Sequence, residues 1–198
     1  MPAADLVPNE ISFNASISAC EKGGEWQLAL SLLAQMPAAG VVPSEISSSA
    51  GIAACGAARQ WRMALSLFSC MLSNGQTPDR ESYTQILDAV CTERLSFGLF
   101  RQALQEETWP NMLRGRGALL DLHDHSGGSA MLAVLWWLAE IVPWKMARGK
   151  HHPSFGIITG GGKSRASWQT TDVRASVLRL LARCGIPCKV HPRNQGLV

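Results

Sequence analysis

The sequence predicts an α-helical solenoid followed by a small α/β domain. A 35-residue unit recurs in the first half of the 198-residue chain, and strands alternate with helices in the second half. The charge also changes: residues 1–91 hold four Lys and Arg against eight Asp and Glu, a net −4, and residues 92–198 hold fourteen against seven, a net +7. This asymmetry favours a polyanion as the partner of the second half.

The repeat is visible at an offset of 35 residues. Pro8, Pro43 and Pro78 stand at that spacing. Further identities at the same offset include Glu10/Glu45, Ile17/Ile52, Cys20/Cys55, Trp26/Trp61, Ala29/Ala64 and Leu30/Leu65. Units of this length are typical of solenoids, in which each unit buries its apolar face against its neighbours.

Each unit is predicted to form two helices, over about 12–20 and 26–36 in the first unit. Apolar residues of the second helix have the i, i+3, i+4, i+7 spacing of one helix face: Ala29, Leu32, Leu33 and Met36. Gly40 ends the pair, and Pro43 prevents its continuation. The predicted units cover 10–44, 45–79 and, in a shortened form that suits a capping unit, 80–107.

The turns at 40–44 (Gly-Val-Val-Pro-Ser) and 75–79 (Gly-Gln-Thr-Pro-Asp), with the 35-residue period, resemble the pentatricopeptide-repeat (PPR) family. Tetratricopeptide repeats, the main alternative, run at 34 residues and lack the Pro-Asp turn. The resemblance implies that each repeat binds one base of single-stranded RNA through a residue early in its first helix and the last residue of the repeat. By position these are Asn14 with Ser44, Ser49 with Asp79, and Thr84 without a partner. A plainer role, as polar groups near helix starts, stays open.

The second half begins after a linker predicted at 108–116. Strands are predicted at 118–123, 155–159 and 188–191, a further strand is expected to start at Leu197, and helices are predicted at 129–141 and 172–184. Pro143 is expected to end the first of these helices, and Thr171 or Asp172 to cap the second. The alternation implies that the first two strands are parallel, with their carboxyl ends at one edge of the sheet.

Two motifs end the first two predicted strands: Leu120-Asp121-Leu122-His123 and Thr159-Gly160-Gly161-Gly162-Lys163. They resemble the Smr (small MutS-related) family, whose hallmarks are a Leu-Asp-Leu-His strand and a Thr-Gly-x-Gly loop. The resemblance covers 117–198 and implies a βαβαββ fold, also seen in the C-terminal domain of bacterial translation initiation factor three, with endonuclease activity. The chain departs from the family at Asp124-His125, because the family has glycine after the motif histidine.

Asp121 and His123 are the predicted catalytic residues, and strand alternation puts both on one face. His123 would act as general acid or base, and Asp121 would hold a divalent metal, Mg or Mn, or orient a water. The glycine loop would cradle a phosphate, although a tight turn with solvated basic residues is the plainer interpretation. The predicted nucleic-acid-binding residues of this half are Thr159, Gly160, Gly161, Gly162, Lys163, Arg165 and Trp168, the last as a base-stacking platform.

A nucleotide-binding P-loop is excluded, because Ile157 stands where that motif needs glycine. Further phosphate contacts are expected from the basic stretch that follows residue 143, at Lys145, Arg148, Lys150 and Arg174. A membrane partner is not expected, because the longest apolar run, 130–142, is too short to span a bilayer and contains Glu140.

These features predict sequence-guided binding of single-stranded RNA, with an Smr-like domain acting in organellar RNA processing in a chloroplast or mitochondrion. The sequence leaves open whether that domain is an endoribonuclease or a non-catalytic adaptor that binds RNA or docks a protein. DNA binding, protein partners of the solenoid and a purely protein-binding scaffold are further open alternatives. The chain shows no targeting peptide and is expected to be a fragment of a longer protein.

Overall fold

The computed structural model describes residues 8–148, 154–160, 172–192, 194 and 196–198. Backbone contacts divide the chain into two compact units, Met1–Val90 and Cys91–Val198. The first unit is helical and contains the first two predicted repeats and the first helix of the third. The second unit combines helices with a small sheet.

The first unit confirms the predicted helix pairs. Its helices are α1 (Glu10–Gly23), α2 (Trp26–Gln35), α3 (Glu45–Ala57), α4 (Trp61–Ser73) and α5 (Arg80–Val90). Within each repeat the two helices pack together, and the first helices of successive repeats also pack side by side, α1 on α3 and α3 on α5. This arrangement places one equivalent helix from every repeat on a shared face.

The repeat period also sets the core of the first unit. Residues 35 positions apart are buried in both repeats: Ile17 and Ile52, Cys20 and Cys55, Ala29 and Ala64, Leu33 and Phe68, and Met36 and Met71. Burying each of the larger side chains contributes about 1.5–3 kcal/mol. Gly40 and Gly75 both have a φ of 73°, a left-handed conformation that glycine adopts without strain, so the predicted turns are formed.

The second unit begins with α6 (Ser96–Gln105), the predicted second helix of the third repeat. This helix packs against α7 (Gly127–Trp136). Phe100 of α6 is fully buried, and its ring lies 5.9 Å from that of Trp109 and 6.3 Å from that of Trp136. Its packing therefore places α6 in the second unit. That the third sequence repeat ends at residue 107 stays a prediction.

The sheet of the second unit has three strands in the order β1 (Leu113–Arg114), β2 (Leu119–Asp121) and β3 (Gly156–Ile158). β1 and β2 are antiparallel, and β2 and β3 are parallel, which confirms the predicted parallel pair. The chain end joins β3 from the other side: Ile157 N–H donates to the Val198 carbonyl at 2.8 Å, and Val198 N–H donates to the Ile157 carbonyl at 2.9 Å.

Two stretches differ from their predicted structure. Residues 108–116, assigned to a linker, contain β1 and the buried side chains of Trp109 and Met112. The strand predicted at 188–191 is wrong, since the structure has only an isolated bridge between His191 and Asn194 there. Prolines 187 and 192 flank this stretch, and a proline has no N–H to donate to a strand ladder.

The prediction that Pro143 ends a helix is also wrong. After α7 the chain makes a π-helical turn over Trp137–Ile141 and continues as α8 (Val142–Arg148), with Pro143 in its first turn. Val142 N–H donates to the Trp137 carbonyl five residues earlier. A proline in a regular helix clashes with the carbonyl four residues before it, and the wider π turn changes that spacing just ahead of Pro143.

The continuous segment Gly127–Arg148 is long and apolar enough to cross a membrane by length and composition alone, a test that a core helix of a soluble protein also passes. Its first half is largely buried, whereas Trp144 and Met146 near its end are exposed. After a gap in the described residues, α9 (Val173–Arg183) follows. Asp172 caps α9 by accepting from Ala175 N–H at 3.3 Å, which confirms one of the two predicted caps.

Candidate nucleic-acid interface

A groove on the first unit lies along the face formed by α1, α3 and α5, with an empty volume of about 520 Å³ that opens to solvent. Its lining combines polar, acidic and small apolar side chains, among them Ser18, Glu21, Ile46, Ser49, Asp79 and Gln85. Because each of the three helices is the first helix of its repeat, the groove receives side chains from successive repeats. The groove therefore suits an extended ligand whose units recur along its length, such as a polymer.

Ser49 and Asp79, the predicted base-reading pair of the second repeat, both line this groove. Ser82 joins them: Ser49 Oγ lies 2.7 Å from Ser82 Oγ, which donates to Asp79 Oδ1 at 2.8 Å. The backbone N–H of Ser82 donates to the same carboxylate oxygen at 2.8 Å, so Asp79 also caps α5. Asp79 is exposed, whereas the two serines are buried.

The other predicted base-reading residues have different surroundings. Asn14 is half-buried on α1, and its Oδ1 is buried with no hydrogen-bond partner in the part of the chain that the structure describes. Ser44 precedes α3, and its backbone N–H donates to Ser47 Oγ at 2.8 Å. Thr84 is buried, and its hydroxyl donates to the Arg80 carbonyl at 2.7 Å. The Asn14 oxygen is therefore buried without a partner among the described residues, and the Thr84 donor is used within its own helix.

Two exposed isoleucines accompany the base-reading positions. Ile11 is 76% exposed and Ile46 is 66% exposed, and they stand 35 residues apart. Each lies three residues before a predicted reading residue, Asn14 or Ser49, and residues at that spacing share a helix face. The sequence did not predict these two isoleucines as contacts, because an exposed position cannot be recognised from the period alone. An apolar side chain beside a polar reading group suits the flat, apolar face of a base.

In the second unit, Asp121 and His123 meet at the carboxyl end of β2. His123 Nδ1 lies 2.5 Å from Asp121 Oδ1, and the His123 backbone N–H donates to the same oxygen at 3.1 Å. The Asp121 side chain is 5% exposed and that of His123 is 52% exposed. A carboxylate can only accept, so Nδ1 carries the proton in this contact and Nε2 keeps its lone pair.

Arg114 completes this cluster and was not predicted, because the sequence places it in a linker. It lies on β1, and its guanidinium approaches the other carboxylate oxygen, Asp121 Oδ2, at 2.5 Å. The antiparallel pairing of β1 with β2 brings it there. Only this pairing shows that the two residues are neighbours, since seven positions separate them in the sequence.

The glycine-rich loop begins beside His123. Gly160, with a φ of 80°, leaves so little space that a Cβ there would stand 3.2 Å from His123 Cδ2 and 3.5 Å from Nε2. Thr159 does not face outward: its N–H and its hydroxyl both donate to the Gly196 carbonyl, at 2.7 and 3.2 Å. The remaining predicted loop residues, Gly161, Gly162, Lys163, Arg165 and Trp168, lie outside the described residues.

The surroundings of Asp121 do not fit a Mg or Mn site. Both of its carboxylate oxygens already have partners, Arg114 on one and His123 on the other. A guanidinium beside the carboxylate also disfavours a second cation there. Among the described residues, no group of three or more His, Cys, Asp and Glu side chains is placed to hold a metal ion. The chemistry of this cluster is therefore that of a histidine oriented by a carboxylate.

An exposed tryptophan lies among the predicted phosphate contacts of the second unit. Trp144 of α8 is 53% exposed, and the Arg148 guanidinium lies over its ring at 4.3 Å from the ring centre. Lys145 lies beside it on the same helix. Exposed aromatic rings with neighbouring cations are typical of single-strand binding surfaces. The sequence argument chose Trp168 instead, because Trp144 falls in what reads as the end of an apolar helix.

A family model described as a PPR repeat matches residues 11–41 and 52–76. The chain contains PPR repeats. The two matches cover most of α1 to α4, the helix pairs that form the first two repeats. A comparison with curated proteins found no significant match. PPR repeats indicate sequence-specific RNA binding, and two of the predicted base-reading residues, Ser49 and Asp79, line the groove.

The groove along α1, α3 and α5 is acidic, and its negative charge opposes binding of the RNA phosphates. Four carboxylates line it, from Glu21, Glu45, Asp79 and Glu81, with no Lys or Arg among the lining residues. Burial raises the pKa of Glu21; Lys22 lowers it, and the charge of Glu81 raises it further. The groove therefore favours the flat, neutral part of a nucleotide over its phosphate.

Replacing Glu21 by glutamine is expected to strengthen RNA binding at pH 7 and to raise the free energy of unfolding. The raised pKa means that the folded chain binds this proton more tightly than the unfolded chain, so stability falls as pH rises through the folded pKa. The gain in stability should thus appear above the ordinary Glu pKa of 4.5 and vanish below it. Urea denaturation at pH 4 and pH 7 measures this, with the exposed Glu25→Gln as control. An equal gain at both pH values would contradict the burial argument.

Proposed function

We propose that this chain binds single-stranded RNA through its PPR repeats and selects a base at the second repeat with Ser49 and Asp79. The observation that carries this proposal is their shared position on the groove, where Ser82 connects them by hydrogen bonds of 2.7 and 2.8 Å. Asp79 can accept from the N–H groups of guanine. By resemblance to the family, Asn14 with Ser44 prefers a pyrimidine.

The experiment that tests this function measures binding of the purified chain to labelled single-stranded RNA that contains guanine or adenine at one position. The wild type should prefer guanine, and Asp79→Asn should lose that preference, because an amide also donates. Glu45→Gln, which removes a groove carboxylate that makes no hydrogen bond to Ser49, Ser82 or Asp79 among the described contacts, is the matched control and should keep the preference. Unchanged base preference in Asp79→Asn would rule out the assigned reading pair.

The second unit is proposed to be an Smr-like domain, and the proposal rests on its site rather than on its fold as a whole. Its support is the parallel pairing of β2 and β3, which brings the Leu-Asp-Leu-His strand end and the first glycine of the Thr-Gly loop together. Organellar RNA processing remains part of this proposal, by resemblance to proteins that combine PPR arrays with Smr domains.

Within that proposal the cluster at the end of β2 supports metal-free cleavage of RNA. Nε2 of His123, the nitrogen that faces away from Asp121, would take the proton of a ribose 2′-hydroxyl as its oxygen attacks the adjacent phosphorus. Asp121 would stabilise the imidazolium that forms, and Arg114 would hold the other carboxylate oxygen of Asp121 in place. The protonated histidine could then return the proton to the departing 5′-oxygen. Without such cleavage the unit is an RNA-binding or protein-docking adaptor.

Most of the affinity for nucleic acid is expected to come from the second unit, because of its net positive charge. Binding to single-stranded RNA should weaken steeply with salt, since each neutralised phosphate releases counterions. Converting Lys145, Arg148 and Arg174 to glutamine should reduce the slope of log affinity against log salt by roughly 2. The matched control converts Lys22, Arg59 and Arg62 of the first unit and should change the slope little. Equal slopes in the two triple variants would contradict this assignment.

A further inference from the structure

Ser82 stands at the centre of the reading pair although neither the repeat period nor the family resemblance assigns it a role. It is fully buried on α5, one turn after Asp79. Its hydroxyl touches both reading groups, at 2.7 Å from Ser49 Oγ and 2.8 Å from Asp79 Oδ1. The packing of α3 on α5 creates this contact between residues 33 positions apart.

The protons in this chain of hydrogen bonds can be assigned by counting donors. A serine hydroxyl has one proton, and a carboxylate has none. The bond between Ser82 and Asp79 therefore uses the Ser82 proton. Since Ser82 has no second proton, the bond between the two serines must use the proton of Ser49. The Ser49 hydroxyl therefore cannot donate to a ligand, because its proton is used in the bond to Ser82. Its oxygen can still accept a hydrogen bond through a lone pair.

We propose that Ser82 is a positioning residue that fixes both reading groups of the second repeat as hydrogen-bond acceptors. This inference rests on the RNA-binding function proposed above. A pair of acceptors selects a base edge that presents neighbouring donors, and guanine has such an edge in its N1–H and 2-amino groups. Adenine presents a ring acceptor beside its amino group, and uracil presents one N–H between two carbonyls. Each of these bases would therefore place an acceptor of its own against one of the two protein acceptors.

The first repeat lacks this arrangement. Ser47 stands 35 residues before Ser82, but its hydroxyl donates to the Ser44 carbonyl at 2.9 Å and accepts from the Ser44 N–H at 2.8 Å. Asn14, the reading residue of that repeat, carries a donor and an acceptor on one amide. Ser12, the equivalent serine of α1, donates to Asn9 Oδ1 through its N–H and its hydroxyl, both at 3.0 Å, so the bond from Ser82 to Asp79 also belongs to helix capping. The bond between Ser82 and Ser49 goes beyond capping and joins the cap to the reading residue of the second repeat.

The test uses the full chain and short uridine oligomers that carry one central guanosine, inosine or adenosine. The wild type should bind the guanosine oligomer at least about 5-fold more tightly than the adenosine oligomer, with inosine between them because it lacks the 2-amino group. In Ser82→Ala the Ser49 hydroxyl is free to donate, so the guanosine-to-adenosine ratio should fall to within about 2-fold. Binding of the plain uridine oligomer should not change.

Two further variants separate positioning from stability. Ser82→Thr keeps the hydroxyl and should keep the guanosine preference. Ser47→Ala removes the buried serine hydroxyl at the equivalent position of α3, beside Ser44, and should also keep it. Should Ser82→Ala fail to fold, Ser49→Ala makes the test, because it removes one acceptor of the pair and should lower the ratio. A folded Ser82→Ala or Ser49→Ala that keeps the wild-type ratio would overturn the inference. No binding of any oligomer by the wild type would instead overturn the proposed function itself.

Discussion

Replacing Trp137 by alanine is expected to unfold the second unit while the PPR repeats remain folded. Trp137 is 2% exposed, and its Nε1–H donates to the Gly117 carbonyl at 3.0 Å. Its ring packs edge-on against that of Phe155, with 5.7 Å between the ring centres. Truncation of a buried Trp costs about 3–5 kcal/mol. The change also leaves the Gly117 carbonyl without its partner, which adds about 1–3 kcal/mol. A loss of this size is comparable to the whole stability of a small domain.

Hydrogen exchange of backbone amides measures this effect unit by unit. Protection of Leu122 and Val134 should collapse in Trp137→Ala, whereas protection of Ile52 and Leu87 in the first unit should persist. Trp136→Ala is the matched control and should cost less, because that side chain is only half-buried and its Nε1–H bonds to Glu140. Unchanged protection at Leu122 and Val134 would show that Trp137 does not hold the unit together.

Under the metal-free cleavage proposed above, replacing His123 by alanine is expected to lower the rate of RNA cleavage by about 10²–10⁴-fold. The His123 side chain is half-exposed beside the buried Asp121 carboxylate, and its Nε2 lies next to Gly160, the first glycine of the glycine-rich loop. Asp121→Asn should lower the rate by a comparable factor, because the amide favours the wrong tautomer of His123 and no longer stabilises the imidazolium.

Labelled RNA incubated with each purified variant gives these rates, with circular dichroism as the check on folding. His191→Ala, which removes a histidine from another part of the second unit, should cleave like the wild type. Chelation of divalent cations should leave the rate unchanged if the histidine acts without a metal. Cleavage that survives in His123→Ala would indicate another nuclease in the preparation, and a wild type that never cleaves would favour the adaptor function.

The sequence was sufficient to predict the repeat architecture, because the 35-residue period reports side chains that are buried in equivalent places. Ile17 and Ile52, or Ala29 and Ala64, are identical for that reason, and the helix pairs follow from their spacing. The parallel contact of β2 with β3 was predictable from strand–helix alternation, since a helix between two strands of one sheet lets the second strand run in the same direction as the first. The spacing of apolar residues was therefore sufficient to predict the helices, and the order of strands and helices was sufficient to predict the parallel pair.

The sequence was not sufficient where the structure depends on contacts between distant residues or on uncommon backbone geometry. Arg114 reaches Asp121 only because β1 pairs with β2, and Ser82 reaches Ser49 only because α3 packs on α5. Pro143 follows a π turn, which standard proline rules do not include. The sequence therefore gives no sign of these neighbours, even for Ser82, which follows the 35-residue period.

Selection of RNA from a random single-stranded pool tests the central claim most directly. The purified chain is incubated with the pool, and bound molecules are sequenced for the wild type and for Asp79→Asn. Sequence-specific reading by the repeats predicts that the wild type enriches guanine next to a pyrimidine, and that Asp79→Asn loses the guanine while keeping its neighbour. Binding without any enriched base, or the same enrichment in both proteins, would contradict base reading by the groove.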